Sequence, residues 1–185
     1  MCDIDAEFVR KWAQVYEDRY AGTSDERDEK AISDWIELQP EPKCLDWEYF
    51  VRLGRWKTPR YNDSRKSNDE NTVIQVTRSA YQLQDDLTKL HTLKSLRGVG
   101  TAVASAILYF MEPSRYAIYD FHVRSALNKK NCWGYGKDDD SERVWLEYVQ
   151  VMRGLAARLG VDLRSLEKAL FAYDKLGEET ESACR

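Results

Sequence analysis

From residue 4 to residue 176, apolar side chains return every three or four positions, and no stretch alternates convincingly with period two. That rhythm is the signature of amphipathic helices, and it leaves no room for a sheet. Ile4, Phe8, Trp12 and Val15 mark a helix over 4–20. Ile32, Trp35 and Ile36 mark a second over 24–38, with the Ser24 hydroxyl as its cap. Asp46 opens a third over 46–56 that buries Trp47, Phe50, Val51 and Leu53, and Pro59 stops it. The run RYNDSRKSNDE at 60–70 has no apolar period and reads as a loop. Helical pattern resumes over 69–82, 85–95, 101–112 (ending before Pro113), 121–129, 141–159 and 162–176, with Gly160 as a C-terminal cap between the last two. Residues 131–140 read as a loop, and about 178–185 as a disordered tail. The expected class is all-α. A chain of 185 residues fits a single domain, or two small lobes sharing one core.

Within that pattern the segment from Leu93 to Leu108 is the most informative. Two helices meet at Gly98–Val99–Gly100, inside a hairpin of about 85–112. Glycine suits backbone with positive φ and a close approach to a partner. Val99 can plug the gap between the helices, and Ala102, Ala104 and Ala106 let them pack closely. The amides from Gly98 to Ala102 then open a helix N-terminus, a cradle for an anion such as a nucleic-acid phosphate. Taken alone, Gly-Val-Gly is more often a plain turn between helices. The ordered set of Leu96, Gly98, Val99, Gly100 and Ala104 is rarer by chance.

A second segment follows, Ile118–Tyr119–Asp120–Phe121–His122–Val123–Arg124, with Asp120 24 residues after Leu96. Together the two segments resemble the helix-hairpin-helix and catalytic-aspartate motifs of the HhH-GPD superfamily of DNA glycosylases, the group of endonuclease III and adenine glycosylase. The close likeness covers about 35 residues, including Pro113 of the connecting loop. It implies a two-lobed all-helical domain that binds duplex DNA by the hairpin, flips a damaged or modified base into a pocket between lobes, and hydrolyses its glycosidic bond.

Position by position, the resemblance makes Asp120 the catalytic carboxylate, which steadies the oxocarbenium-like sugar and positions or activates water. Read without it, Asp120 is an N-cap, and the two roles are compatible because a helix N-terminus keeps a carboxylate ionised. Arg97, which replaces the family's hairpin proline, joins Gly98, Val99, Gly100, Thr101, Ala102 and Arg124 as the implied DNA contacts. Bifunctional members carry a lysine where this chain has Ala102, so a monofunctional enzyme that leaves an abasic site is implied. His122, about 200° around a helix from Asp120, fits a supporting or phosphate-contacting role. His91 reads as structural. A flipped base is held between aromatic or apolar faces. Trp56, Arg60, Tyr61, Tyr119 and Phe121 are the candidates for base pocket or wedge, with Trp133 and Tyr135 further aromatic residues near loops. Trp12, Trp35, Trp47 and Trp145 lie on periodic faces and read as core.

Four cysteines, at 2, 44, 132 and 184, show no CxxC spacing. They fit neither a zinc ribbon nor a secreted disulfide framework, which makes a reducing cytoplasm (the nucleoid, in a prokaryote) the natural setting. The family's iron–sulfur cluster needs four clustered cysteines near the C-terminus, and only Cys184 is there. No cofactor is called for and no side chains suggest a metal site, though a monovalent cation would suit the hairpin carbonyls. No apolar run is long enough to cross a bilayer, and the acidic opening MCDIDAEF lacks the form of a signal peptide. A monomer is expected.

The formal charge of −4 argues against a nucleic-acid partner at first sight. Its distribution argues otherwise: residues 51–135 hold 14 basic against 7 acidic side chains, while residues 1–50, with the acidic helices at about 4–38, hold 6 against 14. Both motifs lie in the basic section, which can replace phosphate counterions. Two other readings stand beside the glycosylase: a non-catalytic DNA-binding protein that keeps the hairpin and uses Asp120 only as a cap, and a helical interaction module whose acidic helices bind a partner.

Overall fold

Short polar side chains punctuate the chain, and the helices start where they fall. The computed structural model describes residues 2–135 and 141–183, the last six of these by backbone alone. The elements are α1 (Ala6–Tyr20), α2 (Ser24–Glu37), α3 (Trp47–Lys57), α4 (Asn62–Lys66), α5 (Glu70–Gln82), α6 (Asp86–Lys94), α7 (Thr101–Met111), α8 (Phe121–Lys129), α9 (Glu142–Leu159) and α10 (Leu163–Ala183). There is no strand among the described residues, so the protein is all-α.

The starts follow from capping. Carboxylates of Asp5, Asp46, Asp69 and Asp85 accept the amides of Phe8, Tyr49, Thr72 and Thr88. Each thereby satisfies a first-turn donor that the helix itself cannot. Thr23, not Ser24, caps α2, taking the amide of Glu26. Gly160, in the left-handed region at φ 65°, ends α9.

Two expectations are corrected. The run 60–70 is not all loop, because α4 forms within it around a buried Arg65. The tail expected from 178 is helical in its backbone through Ala183. Of the predicted 131–140 loop, residues 136–140 lie outside the described residues, as does Cys184.

The chain falls into two compact units, one of residues 22–113 and one joining the residues up to Ala21 to those from Ser114. In the first, α7 is the central element: Val103 through Met111 are buried on every face, and α2, α3 and α6 pack against it. A helix apolar all round belongs in a core. Lys89, fully buried on α6, donates to the Tyr81 carbonyl at 3.1 Å and pairs with Glu112 just beyond α7. In the second unit α1 and α10 pack side by side, with Trp12 edge-on to Tyr173 at 5.3 Å. Trp145, Tyr116, Tyr119 and Tyr148 fill its centre.

Cys2 and Cys132 form a disulfide across 130 residues of sequence. Beside it the Asp3 amide donates to the Lys130 carbonyl at 2.9 Å, and Asn131 Nδ2 to the Asp3 carboxylate at 3.0 Å. The proximity of this pair is created by the fold and has no trace in the cysteine spacing. Cys44 is a free thiol. Among the described residues no helix is long and apolar enough to cross a membrane.

Candidate functional site

The turn between α6 and α7 belongs to the unit of residues 22–113. Leu96 and Val99 are buried, and the Val99 amide closes onto the Leu96 carbonyl at 3.2 Å. Gly98 has φ 74°, and a β-carbon there would come within 2.9 Å of the Tyr61 carbonyl and of Arg65 Cγ. Glycine is therefore required at 98 both by conformation and by space. Gly100 differs from expectation. It is the N-cap of α7 with φ −96°, and an added β-carbon would meet nothing within 4 Å. Its carbonyl accepts the Ala104 amide at 3.0 Å, the first bond of α7, and no cap side chain covers the turn that follows. Thr101 is buried and Ala102 half-buried on that turn.

Two residues that sequence reasoning missed hold this turn. Asn68 grips both backbone groups of Arg97: its Oδ1 accepts the amide at 2.9 Å and its Nδ2 donates to the carbonyl at 3.0 Å. Arg65, 0% exposed, sends Nη1 to the Gly98 carbonyl at 3.2 Å and Nη2 to the Thr58 carbonyl at 2.7 Å. A β-carbon at Gly54 would overlap its Cδ and Nε, so α3 too gives way to this side chain. A lone arginine in a polar run carries no sequence signal of burial. Gly54 on an otherwise apolar helix face was the one available hint.

Arg97 and Arg60 are exposed on this unit. Tyr61 is 72% exposed and sits at φ 60°, with its carbonyl taken by the Arg65 amide at 3.0 Å. A large side chain in the left-handed region, standing in solvent, is an uncommon combination. Trp56 is half-buried; its Nε1 donates to the Asp25 carbonyl at 3.1 Å and its ring packs edge-on to Phe110 at 5.3 Å. At the turn, where a monovalent cation is expected to suit the carbonyls, those of Leu96, Arg97 and Gly98 accept from Val99, Asn68 and Arg65. A guanidinium beneath them already supplies positive charge.

Asp120 lies in the other unit, at the end of a buried extended segment, Tyr116–Tyr119. That segment is pinned at Ile118, whose amide donates to Glu167 Oε2 at 2.8 Å and whose carbonyl accepts the Tyr148 hydroxyl at 2.7 Å. Glu167 is buried and held in turn by Arg164. Burial, followed by the negative charges of Glu167 and Asp120, pushes the Tyr148 hydroxyl well above its ordinary value, so it remains a donor. Half-buried Asp120 caps α8, its Oδ1 accepting the His122 amide at 2.8 Å. The carboxylate is fixed to a helix N-terminus on one side and a braced backbone on the other.

His122 Nδ1 lies 2.8 Å from Asp174 Oδ2 on α10. Asp174 also accepts from Ser125 at 2.6 Å and pairs with Lys129 at 2.9 Å. Burial alone would raise the Asp174 carboxyl, but the bonds from Ser125, Lys129 and His122 outweigh it and hold it below the usual range. His122 is thereby set in orientation by α10, a partner 52 residues away in sequence. Phe121, 40% exposed, begins α8.

Two candidates here are corrected. Arg124, expected at DNA, is 5% exposed; its guanidinium lies 4.1 Å over the Tyr119 ring and donates to the Tyr119 hydroxyl at 3.0 Å. Tyr119, expected at the base, is buried edge-on to Tyr148 at 5.1 Å. Trp133 is buried against Tyr148 too, with Tyr135 edge-on to it. Among the described residues no group of three or more His, Cys, Asp or Glu could hold a metal ion.

The all-helical chain carries a braced glycine turn in one unit and, in the other, a helix-capping carboxylate 24 residues after Leu96. The family described as "Putative 8-oxoguanine DNA glycosylase OGG-like protein" matches residues 53–171, well over half of the chain, and the chain belongs to that family. The matched span takes in the glycine turn, Arg65 and Asp120. The match supports a glycosylase relationship and does not single out the endonuclease III type. No curated protein and no solved structure matches the chain.

Proposed function

We propose that this protein is a monofunctional DNA glycosylase that removes an oxidised purine from duplex DNA, with Asp120 as its catalytic residue. The observation that carries the reading is Asp120 itself: a carboxylate capping α8, on a backbone pinned at Ile118, inside the span that matches a glycosylase family. The family's description names 8-oxoguanine, which makes an oxidised purine the first substrate to test.

In this reading the α6–α7 turn is a helix-hairpin-helix that receives a DNA phosphate at the first amides of α7. Bare Gly100 leaves room for the strand, and exposed Arg97 adds a charge beside it. Exposed Tyr61 and Arg60 are the wedge candidates of the unit that carries the turn. The C1′–N bond breaks with its electron pair leaving on the base. Positive charge develops on the sugar, and the Asp120 carboxylate steadies it. Water then attacks C1′, Asp120 takes its proton, and the departing base is protonated from solvent. His122, oriented by Asp174, is a supporting residue two positions after the carboxylate.

Ala102 stands where bifunctional relatives place an amine, so no covalent link to the sugar forms. A screen of duplexes carrying 8-oxoguanine, alkylated purines or modified cytosines tests the assignment. Base release from the oxidised-purine duplex is expected, leaving an abasic site that alkali cleaves. Borohydride is expected to trap no adduct, and a trapped adduct would contradict the monofunctional reading.

A further inference from the structure

Among the described residues Arg65 is a buried cation with no anion beside it. It is 0% exposed, and its partners are the carbonyls of Gly98 and Thr58. Among the described residues its Nε has no hydrogen-bond partner and its guanidinium pairs with no carboxylate. Burial pulls its guanidinium down from the ordinary value, yet arginine begins so high that the charge persists at neutral pH. Burying such a group without a counter-charge is costly. Here the backbone is arranged for it: Gly54 and Gly98 each lack the β-carbon that would displace it. A chain that needed only to fill this space would do so with an apolar side chain at lower cost.

The position of the charge indicates its use. Nη1 reaches the carbonyl of Gly98, two residues before the N-cap of α7, so a full positive charge stands directly behind the turn. Carbonyls that would gather around a small cation are engaged by this guanidinium and by Asn68 instead. We propose that Arg65 is the resident positive charge of the α6–α7 turn, standing in for a monovalent cation, with a DNA phosphate received by the turn as its counter-ion. Arg65 acts through the turn and touches no substrate, so it is a positioning residue. The inference rests on the DNA-binding reading above.

The test measures binding of the full chain to a labelled duplex containing a stable abasic-site analogue, by fluorescence anisotropy. Potassium, sodium and tetramethylammonium chlorides are compared at equal ionic strength. The wild-type protein is expected to bind within about twofold in all three, because its cation is built in. Arg65→Met is expected to bind about tenfold or more weakly in tetramethylammonium, and to recover part of that loss in potassium or sodium, which can enter among the vacated carbonyls. A merely structural arginine would not make binding depend on which cation is present. Wild-type binding that falls in tetramethylammonium would overturn the proposal without any variant. So would a folded Arg65→Met protein that binds like the wild type. If the wild type binds no DNA in any salt, the functional reading itself fails, which is a separate result.

Discussion

Gly98 and Gly100 look alike in the sequence, but the structure gives them different burdens. Gly98 needs positive φ and the space that a β-carbon would take from Tyr61 and Arg65. Gly98→Ala is therefore expected to destabilise the unit of residues 22–113 by about 1–3 kcal/mol, read as a lower urea midpoint. Gly100→Ala is expected to change stability by about 1 kcal/mol or less, because its φ is ordinary and its surroundings are open. In the proposed reading it should nevertheless weaken binding to duplex DNA, because there the first turn of α7 receives the strand. Equal effects of both substitutions on stability would contradict this division. Arg124 and Tyr119 show the converse limit of sequence reasoning at this scale. Their types and motif positions pointed to DNA and base, but nothing in a sequence tells which way a side chain turns. Here each satisfies the other in the core.

Helix boundaries were legible because capping chemistry is local: Asp46, Asp85, Asp120 and Ser141 mark starts that lie within a residue of expectation. What stayed hidden was what depends on partners distant in sequence. The helix α4 has no apolar period, since its one buried side chain is an arginine whose partners are the carbonyls of Thr58, just after α3, and of Gly98 in the α6–α7 turn. The clamp on His122 comes from Asp174, at the far end of the chain. That clamp joins α8 to α10 and carries a pH signature. Asp174 has a folded value below the 3.8 of a free aspartate, so its contribution is complete above that pH and fades as pH falls through the folded value. Asp174→Asn is expected to cost about 1–3 kcal/mol near neutrality. Its deficit against the wild type should narrow in acid, measured by urea unfolding at pH 7 and below pH 3.8. A deficit that stays constant with pH would mean that the carboxylate charge is not what holds the two helices.

At the scale of the whole chain, net charge misleads and its distribution informs. An acidic total conceals a basic stretch at 51–135 that contains the turn, Arg60, Arg65, Arg97 and Asp120. Binding to duplex DNA is expected to weaken steeply with added salt, as phosphate contacts demand. The Cys2–Cys132 bond also belongs to this scale, because it ties the start of the chain to the segment after α8. In the oxidised protein, alkylation without reductant should label Cys44 and spare Cys2 and Cys132, as read by peptide mass spectrometry. Reduction is expected to lower stability by about 2–4 kcal/mol.

The central claim is that Asp120 breaks a glycosidic bond in DNA, and single-turnover base release tests it most directly. With a duplex carrying 8-oxoguanine, the wild type should free the base. Asp120→Asn should slow that step by about a hundredfold or more, while affinity for abasic-site DNA stays largely intact. Release at the wild-type rate by Asp120→Asn, or no release of any modified base by the wild type, would contradict the account.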